Sequence, residues 1–228
     1  MQTDTTPWEA QLAAFRTSLR MNIVIPNAGI GGLLNKASFS GLSPPDDPPK
    51  PPTLPIEVNL TRVHYAAMLA VHYFNARTPD DNFKPQLCFV SSLAECSGLP
   101  FSSDHAAAKW GVRGIWRSLR GEKGVNGLGG AQTNLIAPTY MRMAMNAAFS
   151  QRLIEADVKV GEVEDVVRAI LRAIVDEGVD GKCTVRFVVR TAMVSNIICH
   201  RGQGNWRCFW RRQARVAEVR FGRRYIGP

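Results

Sequence analysis

The sequence predicts an α/β domain whose parallel sheet is covered by helices on both faces. Three observations point there. Short, largely apolar runs recur along the first 189 residues, amphipathic stretches of helical period separate them, and 228 residues that are 45% apolar and 21% charged can bury one sizeable core.

The elements follow in order. Thr3 to Arg20 reads as a helix entered through Thr5-Thr6-Pro7, with Trp8, Leu12, Phe15 and Leu19 at helical spacing. Asn22 to Pro26 is a short apolar strand closed by Asn27-Ala28-Gly29. Residues 41 to 55 carry seven of the fourteen prolines, which predicts an extended surface excursion. Ile56 to Arg77 is a long amphipathic helix through Val58, Val63, Ala66, Met68, Leu69, Val71 and Phe74. Gln86 to Ser91 is a buried-type strand. Ser103 to Arg120 is a helix with Ala106, Ala107, Trp110, Ile115 and Leu119 as its apolar stripe. Gln132 to Ala137 is a third strand, ended by Pro138. Glu162 to Val175 is a helix, and Thr184 to Val189 a fourth strand. From Arg190 the periodicity dissolves, so residues 1–189 read as one domain and 190–228 as a basic, aromatic-rich, irregular tail.

The net charge of +9 is local. Residues 190–228 contain nine arginines and one acid, a surplus of eight, which leaves about +1 for the rest. This argues against a nucleic-acid footprint on the main domain. An RNA-binding role for the tail rests only on its interleaved arginines and aromatics, and an altered reading frame explains the same composition. No run is long and apolar enough for a membrane span, and the first ten residues carry no secretory pattern. Five cysteines without zinc spacing suit reduced thiols, so the expected location is cytoplasmic. Cys88 and Cys183 read as small buried hydrophobes. His64 and His72, with no acid or cysteine beside them, read as core or surface residues, and no metal site is expected.

The chemistry-bearing set is Asn27, Asn59, Ser92, His105 and Lys109. His105 and Lys109, four apart on one helix, share a face. Ser92 ends a strand thirteen residues earlier. A hydroxyl, a titratable ring and an ammonium converging at a sheet rim suit proton transfer to or from a substrate oxygen. Asn59 has a plainer reading as a residue at a helix N-terminus.

These residues also carry a resemblance. The ordered series NAGIGG, VNLTRV, VSSLAECSGLPFSSDHAAAKWGVRG and NLIAPTYMR resembles the short-chain dehydrogenase/reductase family, nearest to fungal members similar to 15-hydroxyprostaglandin dehydrogenase, over about Thr3 to Val189. The resemblance implies a Rossmann-type, doubly wound parallel sheet. It further implies hydride transfer between NAD or NADP and a secondary alcohol or ketone, in fungal secondary metabolism. Carried over by position, Ser92, His105, Lys109 and Asn59 are the catalytic set. Asp4, Asn27, Ala28, Gly29, Lys109, Pro138, Met141 and Met143 line the coenzyme. The partners implied are a small-molecule substrate and possible homo- or hetero-oligomers, with no membrane and no nucleic acid.

Two departures stand beside the matches. The helix reads His105-Ala-Ala-Ala-Lys109 where the family has Tyr-x-x-x-Lys. Imidazole shuttles protons near neutrality, but an adjacent ammonium holds it neutral and makes it a poor acid, so reductase activity should suffer severely. Set against the family pattern, the sequence is also expected to form the fold without the N-terminal strands and the glycine-rich phosphate turn, for which Gly29 to Gly32 is no replacement. Coenzyme binding is therefore expected to be weak, and the Asn22–Pro26 strand to be an unpaired edge. A non-catalytic paralogue (a pseudoenzyme) acting through protein–protein association is the alternative.

Overall fold

A computed structural model describes residues 6–18, 21–31, 50–77, 83–96, 99, 102–126, 130–143, 147–155, 157, 160–176 and 178–180. It also describes, as backbone, residues 183–187, 190–194, 197–202, 205–212 and 215–221. Asp4 and most of the proline-rich excursion lie outside the described residues.

The order is α1 (Thr6–Thr17), β1 (Ile23–Val24), α2 (Leu54–Ile56), a π-helical turn (Glu57–Thr61), α3 (Arg62–Asn75), β2 (Gln86–Val90), a 3₁₀ turn (Leu93–Glu95), α4 (Ser103–Asn126), β3 (Gln132–Pro138), α5 (Ala147–Glu155), α6 (Val163–Val175) and β4 (Cys183–Phe187). Four further strands follow: β5 (Arg190–Val194), β6 (Ile197–Gly202), β7 (Asn205–Arg212) and β8 (Arg215–Phe221). One sheet runs β1-β2-β3-β4-β5, parallel except for the antiparallel β4–β5 pair. Its register sets Val24 beside Leu87 and Leu135 beside Phe89. Strands β6, β7 and β8 make an antiparallel sheet of their own.

The two faces are covered as expected. On one, α1, α3 and α4 bury Phe15, Val63, Leu69, Phe74, Val112 and Trp116 against Val24, Leu87, Phe89 and Leu135. On the other, Val166, Ala169, Ile170 and Ala173 of α6 cover Cys88 and Ile136. Buried amides tie the layers together. Asn134 Nδ2 donates to the carbonyls of Ala173 (3.2 Å) and Val179 (2.6 Å), and Trp116 Nε1 to that of Thr133 (3.3 Å).

Several expectations change. Trp110, placed in the α4 core stripe, is 52% exposed, and Trp116 fills the core instead. The α6 stripe is wider than its buried face, leaving Val163, Val167 and Leu171 exposed. The tail, expected to be irregular, forms ladders because it is rich in β-branched and aromatic residues; its alternation is too uneven to show them. Helix α5 was not foreseen. Among the described residues β1 pairs with β2 and stands at one end of the strand order. No described helix is long and apolar enough to cross a membrane.

Candidate active site

The carboxyl ends of β1 and β2 and the first turns of α4 meet at one rim. After Val90 the chain leaves β2 in an extended conformation at Ser92. Its Oγ accepts the amide of Ala94 at 3.2 Å and so caps the 3₁₀ turn Leu93–Glu95. The turn closes by Glu95 N donating to Ser92 O at 2.9 Å.

Helix α4 brings the other two groups. Near its start the amide of His105 donates to Asp104 Oδ1 at 2.7 Å, and the ring is half-buried. One turn on, Lys109 is only 7% exposed and folds back so that Nζ donates to the Val90 carbonyl at 3.1 Å. Ser91 Oγ donates to the Lys109 carbonyl at 3.5 Å, so helix and strand end hold each other in both directions.

Asn59 arrives from the opposite helix and is not at a helix N-terminus: it sits within the π-helical turn, fully buried. The extra residue of a π turn shifts the side chains around it, and such turns are frequent at functional sites. Asn59 clamps the loop after β1 by accepting the Ile30 amide at 2.8 Å and donating to the Ile30 carbonyl at 2.9 Å. A Cβ on Gly29 would lie 3.3 Å from Asn59 Oδ1, which is why a side chain fits poorly there. The amide nitrogen also stands 3.5 Å from His105 Nδ1, long for a hydrogen bond.

Two charges are displaced by this burial. Desolvation first, then the Lys109 ammonium, pulls His105 below its usual 6.5, with Asp104 opposing. Desolvation lowers Lys109 to about 8, against the pull of Glu95. At pH 7 the ring is therefore neutral and the amine mostly charged.

The structure thus gathers Asn59, His105 and Lys109 and hangs Ser92 on the adjoining turn. Asn27, Ala28 and Gly29 lie exposed along the rim beside the Asn59 clamp. Pro138 is the half-buried last residue of β3. Met141 is buried in a strap tied to Gly161, whose carbonyl accepts from Arg142 N at 2.8 Å and whose amide donates to Tyr140 O at 2.9 Å; Met143 is 38% exposed. Sequence reading missed Glu95 and Arg113, which pair at 2.8 Å beneath the site. The only sequence signal for them is that Arg113 lies four residues after Lys109.

No family model matches the chain. It is 37% identical over 199 residues to an NADP-dependent dehydrogenase of Cochliobolus lunatus, covering 78% of this chain and 68% of that protein. A second NADP-dependent dehydrogenase, of a Phoma species, is 37% identical over 206 residues, covering 80% and 59%. The 5'-hydroxyaverantin dehydrogenase of Dothistroma septosporum is 31% identical over 199 residues, covering 78% and 64%. The chain thus spans roughly three fifths to two thirds of these relatives' lengths. Among solved structures, the 3-hydroxyacyl-CoA dehydrogenase type-2 of Mycobacterium avium superposes with a TM-score of 0.63 at 20% identity, covering 84% of this chain and 76% of that one. A 3-oxoacyl-acyl-carrier-protein reductase of Brucella melitensis gives 0.63 at 18%, covering 81% and 74%. These neighbours share a Rossmann-type doubly wound sheet, and together with the sequence relatives they show that the chain belongs to the short-chain dehydrogenase/reductase family.

Proposed function

We propose that this protein is an NADP-linked oxidoreductase of small secondary alcohols and ketones whose site favours alcohol oxidation at neutral pH. The observation that carries the direction is the pairing of a half-buried His105 with a nearly buried Lys109 one helical turn away. A ring held neutral is a competent base and a poor acid. The fungal relatives named as NADP-dependent dehydrogenases support the coenzyme, and 5'-hydroxyaverantin dehydrogenase supports a hydroxylated small molecule as substrate class.

The residues fit a dinucleotide at the rim: residues 27–29 present an exposed backbone edge, and the Asn59–Ile30 clamp fixes it in place. A bound nicotinamide ring supplies the acceptor for the hydride that leaves the carbinol carbon. Ser92 orients the substrate oxygen. His105 takes the hydroxyl proton on its neutral imidazole ring, beside which the Asn59 amide nitrogen stands at 3.5 Å from Nδ1. The Lys109 ammonium then disfavours the imidazolium, so the proton passes on to solvent. Reduction asks His105 to begin protonated, which the same ammonium opposes, and ketone reduction is accordingly slow at neutral pH.

Titration with NADP⁺, NADPH, NAD⁺ and NADH, followed by quenching of tryptophan fluorescence, tests the coenzyme. Saturable binding with preference for the phosphorylated pair is expected. A panel of secondary alcohols with NADP⁺ should then give NADPH formation that His105→Ala abolishes. Absence of saturable binding to all four coenzymes would overturn the reading.

A further inference from the structure

Beneath the rim lies a charge pair that the reaction as described does not use. Glu95, the last residue of the 3₁₀ turn capped by Ser92, is fully buried, and Arg113 is 8% exposed. Arg113 Nη1 donates to Glu95 Oε1 at 2.8 Å. Arg113 follows Lys109 by one helical turn, so the guanidinium that the carboxylate touches lies on the same face of α4 as the ammonium. A buried ion pair costs several kcal/mol of desolvation per ion and is weak evidence for stability by itself, so its position matters more than its existence. That position is specific. The turn bearing Glu95 begins at Ser92, while the helix bearing Arg113 carries His105 and Lys109.

Resting on the oxidoreductase reading, we infer that Glu95 is a positioning residue: through Arg113 it fixes the Ser92 turn against α4, and it supplies the buried counter-charge of Lys109. The groups around Lys109 are His105 and Arg113, one turn before and after it on its own helix, Glu95 on the 3₁₀ turn, and the Val90 carbonyl at the end of β2, with Asp104 acting on His105. Of these, Glu95 is the anion that favours the protonated amine. Removing it leaves Lys109 with its desolvation uncompensated. The amine then loses its proton more easily, and its contribution, second to desolvation, to keeping His105 neutral weakens.

The test follows the Lys109 side chain by NMR in the full chain with labelled lysine, its signal assigned by loss in Lys109→Arg. In Glu95→Gln the midpoint should fall by about one unit, a tenfold loss of proton affinity. Glu95→Asp should hold it near that of the unaltered chain. Because Glu95→Gln strands Arg113, the double variant Glu95→Gln/Arg113→Met, which leaves no unpaired buried charge in the pair, is measured alongside and should show a smaller downward shift, since the departing guanidinium no longer repels the ammonium. A purely structural pair would leave the midpoint unchanged in whichever variant folds, and that result, or failure of both to fold, would overturn the inference. Coenzyme titration of the same samples separates the two readings. A Lys109 shift without coenzyme binding sinks the oxidoreductase reading alone, and coenzyme binding without the shift sinks this one.

Discussion

Strands β1 and β2 are neighbours in one sheet and have opposite characters. β2 is flanked on both sides and buries Leu87, Cys88 and Phe89 almost completely; β1 has a partner on one side, keeps two residues in ladder register, and leaves Ile23 and Ile25 exposed. Nearly the same apolar composition thus gives a core in one place and an edge in the other, because strand neighbours and covering helices decide burial. The candidate site inherits the contrast. Its half bearing Ser92, His105 and Lys109 stands on β2 and α4, and its rim loop follows β1, held by the Asn59 clamp.

The contrast is exposed most sharply by truncation. Phe89→Ala, at 0% exposure, should cost about 3–5 kcal/mol, read by denaturant unfolding. Asn59→Ala removes both bonds to Ile30 and should cost about 2–3 kcal/mol. Through the released rim it should also weaken coenzyme binding. Lys109→Met should act in the opposite sense, raising stability at pH 7 by on the order of 2 kcal/mol while removing activity. The sign follows from the amine's lowered midpoint: below about 8 the fold bears a charge that it disfavours, and the penalty lifts as pH rises towards the ordinary lysine value. The stabilisation by Met should therefore vanish in alkaline solution. Ile23→Thr, on the exposed edge, should stay within about 0.5 kcal/mol of the unaltered chain.

Most strand and helix positions in the first 189 residues were legible because apolar runs and 3.6-residue periods are local patterns, whereas the strand order, α5 and the tail's ladders were not. What was not legible depended on contacts distant in sequence. Trp110 and Trp116 are both compatible with a helical stripe, and only the packed sheet selects Trp116. Within the site, Lys109 and His105 could be paired by spacing alone. The π turn that delivers Asn59 and the Glu95–Arg113 pair, joined across eighteen residues, needed the fold.

The pH dependence of alcohol oxidation tests most directly whether His105 is the neutral base of this site. The predicted kcat/KM rises with a slope of one at acid pH, turns over at a midpoint below 6.5, and stays level through neutrality. A midpoint above 6.5, or the same profile in His105→Ala, would contradict that assignment.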